Sequence, residues 1–299
     1  MVDILMACFN GAAYIREQIV SLQAQNYGDW RLIVHDDGSM DGTPDIVRGL
    51  ASADGRIKLF EDGVRFGNAG ENFLHCLRMS DAPYIMFCDQ DDVWFPDKIE
   101  TMLSIISSRD QSIPQVVYSQ SDVWNPVSGI SGHATLYFAD NLRDFLFLNS
   151  GVQGCAAIFN ACARVELLKW SGNVSMHDHL LQLICVSIGE VCHIDKSLML
   201  YRRHGETVTG DTKTHQIGNT TLRSKAPVVD QKHFETISRF AELYADKLPH
   251  DSERYLSAYL SMPEQNFLSR FATVIRNGFH LYGSTAKLLL KMIVRPFIG

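Results

Sequence analysis

Three carboxylates fall within four residues in Asp89-Gln90-Asp91-Asp92, directly after the apolar run Tyr84 to Cys88. Carboxylates crowded in this way repel one another and destabilise the fold unless a cation joins them. Asp89 and Asp91 stand one residue apart, so both can approach one hard metal ion from the same side. Mg²⁺ or Mn²⁺ held like this keeps some waters and takes its remaining ligands from a substrate phosphate. A solvated acidic turn is the plain alternative, and the strongly apolar run before the cluster speaks against it. A second polar cluster is His35-Asp36-Asp37-Gly38-Ser39-Met40-Asp41-Gly42-Thr43. Asp41-Gly42 reads as a turn and Thr43 as a helix N-cap, with Pro44 at the first helical position. Asp36 and Asp37 are consecutive acids at a strand end, placed to accept hydrogen bonds from a nucleobase or ribose.

The elements that must position these groups alternate. Val2 to Cys8, Arg31 to His35, Ile57 to Phe60, Tyr84 to Cys88 and Val116 to Ser119 read as strands. Ala13 to Gln25, the segment opening at Thr43, Gly70 to Met79 and Asp97 to Ser107 carry helical spacing. This alternation predicts an α/β fold, a mostly parallel sheet covered by helices on both faces. In such sheets ligands bind outside the carboxyl ends of the strands. Asn10-Gly11, Asp36 to Gly38 and Asp89 to Asp92 all fall there. Further on, Cys155 to Phe159 and Ser197 to Tyr201 read as strands and His177 to Ile188 as a helix. Residues 205–229, rich in Thr, Gly, Lys and Asn, read as a loop or linker. The pattern from Asp230 onward is helical.

Composition bounds the possibilities. The chain has 299 residues, 46% hydrophobic and 20% charged, enough for one large or two modest domains. A net charge of −7 lacks the basic footprint of a nucleic-acid partner. The seven cysteines are odd in number and without CxxC spacing, which reads as reduced core thiols of a cytosolic protein. The N-terminal run has no signal-peptide pattern, and no apolar stretch reaches the roughly 18 residues of a membrane span. Charge is uneven. Arg276, Lys287, Lys291 and Arg295 make the last 24 residues +4 with no acid, so the remainder stands at −11.

Taken in order, the motifs resemble the family 2 glycosyltransferases. They are Leu5-Met6-Ala7-Cys8-Phe9-Asn10-Gly11, then Asp36-Asp37-Gly38-Ser39 with Asp41-Gly42-Thr43, then Asp89-Gln90-Asp91-Asp92-Val93-Trp94. The likeness continues through Asn149 to Cys155, His177-Asp178-His179 and Tyr201-Arg202-Arg203-His204-Gly205. Each piece is short, but the ordered set, over about residues 2 to 210, is specific. Within the family the chain looks like the bacterial branch associated with rhamnosyl transfer to surface polysaccharides.

The resemblance implies a GT-A fold over 1–210, which the residue pattern follows with a linker at 211–229 and a C-terminal helical region at 230–299. It implies transfer with inversion, assisted by a divalent metal, Mn²⁺ or Mg²⁺. Ala7, Phe9 and Asn10 would line the nucleotide pocket, and Asp37 would hold the base or ribose with Asp36 nearby. Asn68 and Asn72 match a segment beside the donor, where Arg65 replaces a basic residue the family often carries. Asp89 would contact sugar or ribose and share the metal with Asp91, its main ligand, and Gln90 lies between them on the donor side. Asp178 matches the base that takes the acceptor hydroxyl proton; a single carboxylate suffices for that step. Its plain alternative is a helix N-terminal acid interacting with the dipole. His204 matches a histidine that contacts metal or diphosphate. Arg202 and Arg203 would neutralise diphosphate charge, a task suited to the guanidinium fork.

The donor implied is a nucleotide-sugar, dTDP-L-rhamnose or a UDP-hexose such as UDP-glucose or UDP-galactose. The acceptor implied is a glycan carried on a lipid, and the site of action is the inner face of the plasma membrane. The tail from Phe267 to Phe297 alternates apolar and basic residues, as an interfacial helix pair would; packing against the catalytic domain or a second subunit is the other reading. Two other functions compete. Asp89 to Val93 also satisfies a phosphatase pattern of the haloacid-dehalogenase type, but it follows three earlier strand–helix units and leaves Asp36-Asp37 unexplained. A non-catalytic nucleotide-sugar-binding protein would not need the full carboxylate set.

Overall fold

The computed structural model describes residues 1–149, 152–170, 176–204 and 226–299. The sheet is built around β1 (Val2–Cys8), which runs parallel to both β2 (Trp30–Asp36) and β4 (Tyr84–Cys88). A strand with partners on both sides and helices on both faces has no solvated side, so β1 is apolar at every position but one. Its one acid, Asp3, is fully buried and takes two bonds from the Arg31 guanidinium and one from Ser80 Oγ.

Among the described residues the sheet has nine strands and runs β3 (Ile57–Phe60), β2, β1, β4, β8 (Ala157–Asn160), β6 (Gln115–Asn125), β9 (Glu190–Arg202), β5 (Val93–Trp94), with β7 (Gly129–His133) on β6. Strands β1 to β4, β6 and β9 share one direction, and β5, β7 and β8 oppose it. The expected α/β architecture with a mostly parallel sheet is therefore present. Helices α1 (Ile15–Gln23), α2 (Thr43–Ala53), α3 (Ala69–Arg78) and α4 (Lys98–Ile106) follow β1, β2, β3 and β5. They cover the sheet with apolar faces such as Ile15, Ile19 and Leu22 of α1. Next come α5 (Leu142–Phe145), α6 (Ala161–Lys169) and α7 (His177–Ile188).

Several boundaries differ from expectation. β6 and β9 are 11 and 13 residues long, because each continues beyond its buried stretch to pair with the other. Cys155 lies in a 3₁₀ turn, Gly154–Ala156, before β8 begins. Thr43 is not the N-cap of α2: Gly42, at φ 88°, takes that place. The Thr43 hydroxyl instead accepts from Gly11 N at 2.8 Å. Tertiary pairing thus overrides the local capping preference.

The helical C-terminal region comprises α8 (Gln231–Leu243), α9 (His250–Ser261), α10 (Phe267–Asn277) and α11 (Thr285–Val294). Phe240, Tyr259, Val274, Phe279 and Leu288 belong to the same apolar core as the sheet. Val228 N and Val229 N donate to the carbonyls of Pro296 and Phe297, which ties the chain end to the approach to α8. Most of the expected 205–229 loop lies outside the described residues. Among the described residues no helix is long and apolar enough to cross a membrane. The seven cysteines are free thiols, five of them buried.

Candidate active site

Parallel register brings the polar clusters to one edge. Cys8 pairs with Asp36, and Met6 with Cys88, so Phe9 and Asp37 leave their strands side by side and Asp89 leaves its strand level with Ala7. Side-chain bonds then lock the loops together. The Gln90 amide accepts from Phe9 N at 3.0 Å and donates to Phe9 O at 2.9 Å. Asn10, at φ 48°, donates from its backbone to Ser39 Oγ and accepts at Oδ1 from Met40 N. Asp41 accepts from Ala12 N and from the Thr43 hydroxyl. A Cβ on Gly11 would stand 2.3 Å from Gln90 Oε1, so only glycine allows the Gln90 clasp. Asp41 and Thr43, read as turn and cap alone, are in fact the rivets between two loops.

Of the residues expected to meet a donor, Phe9 and Asn10 are exposed and Ala7 is half-buried. Asp36 accepts from Gly38 N, Ser39 N and Ser39 Oγ, which shapes its own loop. Asp37 accepts from Phe66 N at 2.5 Å and Gly67 N at 2.8 Å, so the segment before α3 lies upon it. The Arg65 side chain crosses Gly38 there. Asn68 caps α3 by accepting from Glu71 N. Asn72 corrects the expectation. It is 2% exposed and its Oδ1 faces the His35 ring at 2.6 Å, so it has no surface to give a donor.

The acidic cluster divides in two. Asp91 Oδ2 lies 2.7 Å from His204 Nε2, and Tyr14 stacks on the His204 ring. Asp89, Asp92 and Cys155 face one another more deeply. Burial, then the nearby Asp91, pushes the Asp89 carboxyl up to about 7. Asp92 is raised as well, by burial first and then by Asp89. One Asp92 oxygen accepts from Arg202 N at 2.9 Å, and the other is buried with no hydrogen-bond partner. Beneath them lies Lys98, fully buried, with Nζ on Cys155 O and over the Trp94 ring. Burial lowers its pKa to about 8, and the neighbouring thiols and carboxylates oppose that shift.

Arg202 also departs from expectation. Its guanidinium is 4% exposed, donates to Asp91 O and Glu17, and lies between Trp124 and Tyr14. It holds the Asp91 loop and is not presented to a diphosphate. Arg203, half-buried, donates its backbone N–H to Trp124 O, and its guanidinium covers the Tyr201 ring.

Asp178 lies in the first turn of α7, 9% exposed. Its carboxylate accepts from Gly154 N at 3.2 Å and His179 N at 2.7 Å. Burial raises its pKa to about 6 against these bonds, and its charge contributes to raising Asp89. His177 is buried against Phe73 and Phe87, and burial lowers its pKa to about 3. His179 turns away from the crevice to meet His233 of α8 at 2.6 Å.

The model of the family "Glycosyl transferase family 2" matches residues 3–164, more than half of the chain. The chain belongs to the family 2 glycosyl transferases. It is 27% identical over 217 residues to the dTDP-rhamnosyl transferase RfbG of Shigella flexneri, covering 69% of this chain and 73% of that one. It is 35% identical over 112 residues to the UDP-Glc:alpha-D-GlcNAc-diphosphoundecaprenol beta-1,3-glucosyltransferase WfgD of Escherichia coli, covering 38% and 43%. Among solved structures it resembles S. aureus TarS 1-349 in complex with UDP-GlcNAc, at TM-score 0.62 and 13% identity over 87% of this chain and 70% of that one. It also resembles the mannosyltransferase PcManGT from Pyrobaculum calidifontis in complex with GDP-Man and Mn²⁺, at TM-score 0.52 and 14% identity over 98% and 86%. These likenesses establish the GT-A fold.

In this glycosyl transferase the acidic crevice fits a hard divalent cation. Three carboxylates share it, two of them raised in pKa, and one buried oxygen of Asp92 lacks a partner. Positive charge would relieve each of these. Sequence reading missed Lys98, Gly154 and Cys155. Lys98 carried one signal. It occupies the apolar stripe 98, 102, 106 of α4, where a lysine requires an anionic neighbour. Gly154 and Cys155 fell within the family-like stretch Asn149 to Cys155 but carried no role there, since theirs arise only when α7 docks on the 3₁₀ turn.

Proposed function

We propose that this glycosyl transferase is metal-dependent and inverting, and moves a sugar from a nucleotide-sugar, dTDP-L-rhamnose first among them, to a lipid-linked glycan. The observation that carries the reading is Asp178. A desolvated carboxylate, raised by burial to a pKa of about 6, stands close enough to Asp89 for its charge to act on that group. A general base works best when its pKa lies near the working pH.

The placement of the side chains supports the following roles. Phe9, Asn10 and Asp37 receive the nucleoside, with Ala7 and Gln90 at its edge. Asp37 exchanges the Phe66 and Gly67 amides for donor groups or shares its lone pairs with them. Asp91, Asp89 and His204 hold Mn²⁺ or Mg²⁺. The bound ion supplies charge neutralisation for the departing nucleoside diphosphate. Asp178 accepts the acceptor hydroxyl proton on the opposite face of the sugar. Arg202 and Lys98 hold the carboxylate loop in register.

Rhamnose is preferred as the sugar because the match to the dTDP-rhamnosyl transferase spans most of both chains. A UDP-hexose is the second reading, favoured by the higher identity to the glucosyltransferase over its shorter match. Thermal-shift and donor-hydrolysis measurements with dTDP-rhamnose, UDP-glucose, UDP-galactose, UDP-GlcNAc and GDP-mannose, each with Mn²⁺, Mg²⁺ or EDTA, decide between them. We expect metal-dependent stabilisation and slow nucleoside-diphosphate release with dTDP-rhamnose. Equal stabilisation in EDTA would remove the metal from the mechanism.

In this reading the enzyme meets its acceptor at the inner face of the plasma membrane, through α10 and α11. Phe267, Leu268, Ile275, Leu290 and Ile293 are exposed there, with Arg276 and Lys287 near them. Apolar residues flanked by cations suit an anionic lipid surface. Co-flotation with anionic vesicles and not with neutral ones is the expected result. No flotation with either would return this face to protein contacts.

A further inference from the structure

Outside the acidic crevice, two imidazoles and a carboxylate converge. His35 comes from β2, His75 from α3 and Asp62 from the segment between β3 and α3, and their ligand atoms all lie within 4.8 Å of one another. His35 Nε2 is 3.1 Å from Asp62 Oδ1, and His75 Nε2 is 2.7 Å from Asp62 Oδ2.

The other side of His35 constrains its protonation. Nδ1 is 2.6 Å from Asn72 Oδ1, and Asn72 Nδ2 faces the His35 carbonyl at 3.5 Å, which sets the direction of the amide. An amide oxygen only accepts, so Nδ1 carries a proton. A neutral His35 then turns the Nε2 lone pair onto a carboxylate oxygen. That contact requires a cation between them, or a second proton on a ring that is 1% exposed. A histidine that donates its second N–H to a carbonyl group is the usual support of a metal-bound imidazole.

We propose that His35, Asp62 and His75 form a zinc site separate from the acidic crevice. Two imidazoles, one carboxylate and an open fourth position match the ligand preferences of Zn²⁺, whereas Mg²⁺ and Mn²⁺ prefer sets in which oxygen predominates. Zinc bonds of about 2.0–2.2 Å place neighbouring ligand atoms roughly 3.3 Å apart, so the 3.1 Å contact fits as it stands and the 2.7 Å contact must open. The ion clips a strap. Asp62 also accepts from Val64 N, Phe66 packs on both imidazoles, and Phe66 N and Gly67 N rest on Asp37. Zinc would therefore hold residues 62–67 over Asp37. Binding itself is independent of the transfer reading, and only an effect on the donor rests on it.

The test compares zinc content of the full chain after equilibrium dialysis, as wild type, His75→Ala and His75→Gln. His75→Gln keeps a hydrogen-bond donor for Asp62 and binds zinc poorly, so it separates ligation from a hydrogen-bonded clamp. Cys155 and its acidic neighbours offer zinc a second set of ligands, so the difference between variants is what counts. We expect one equivalent less in both variants, in the wild-type background and again with Asp91→Asn. We also expect zinc to slow trypsin cleavage after the exposed Arg65 in the wild type and not in folded His75→Gln. Equal zinc content in wild type and folded variants overturns the proposal.

Discussion

Replacing Asp178 by Asn is expected to lower sugar transfer by about 10²–10⁴-fold, the usual contribution of a positioned general base, while donor affinity stays within a few-fold. The side chain keeps its shape and can still meet Gly154 N, so the loss reports the missing proton acceptor and not a collapsed site. The pH profile gives the stricter check. Burial raises the Asp178 pKa to about 6, and a base acts only when unprotonated. Wild-type kcat/KM should fall tenfold per pH unit below about 6, and Asp178→Asn should lose that limb. An unaltered limb in the variant would assign it to another group. Gly154→Ala is the companion variant. Its Cβ would stand 2.8 Å from His177 Nε2 and 3.1 Å from Asp178 Cβ, and His177 cannot recede because it is stacked on Phe73. A displacement near 1 Å costs roughly 10²-fold, so this remote methyl should reproduce much of the Asp178→Asn loss in turnover, again with donor binding kept.

What the chain reveals before folding is largely what depends on local pattern. β1, β2 and β4 are legible because each is a fully covered strand, and the clusters after them are legible because unpaired charge cannot lie inside a sheet. Their common edge follows from parallel topology alone. The readings that needed revision depend on partners far along the chain. Thr43 looks like a cap until Gly11 arrives from 32 residues away. Arg202 looks like a phosphate ligand until Glu17, Tyr14 and Trp124 enclose it. Asn72 looks like a donor ligand until His35 claims it. His179 stands beside the proposed base in sequence, yet its ring belongs to the interface with α8. In each case the residue type was informative, and the direction of the side chain was not.

The same distinction explains why the carboxylates are informative despite their cost. Lys98 offsets part of the charge from below, but burial already works against its own protonation. The unpartnered oxygen of Asp92 shows that the offset is incomplete. A site that is electrostatically strained on its own and relieved by a cation binds that cation with the energy of the strain.

Asp91→Asn tests this directly. Without metal, the variant should be the more heat-stable protein, because Asp91 is the charged neighbour that most raises the buried Asp89 carboxyl. With Mn²⁺, the order should reverse, since the wild type gains the cation and the variant loses its leading ligand beside His204. Transfer should fall by about 10²–10⁴-fold, because metal charge stabilisation contributes several kcal/mol and each decade of rate is about 1.4 kcal/mol. EDTA should impose a similar loss on the wild type and little further loss on the variant. If the variant transferred sugar normally and still responded to Mn²⁺, the deeper set of Asp89, Asp92 and Cys155 would hold the ion, and His204 would merely position Asp91.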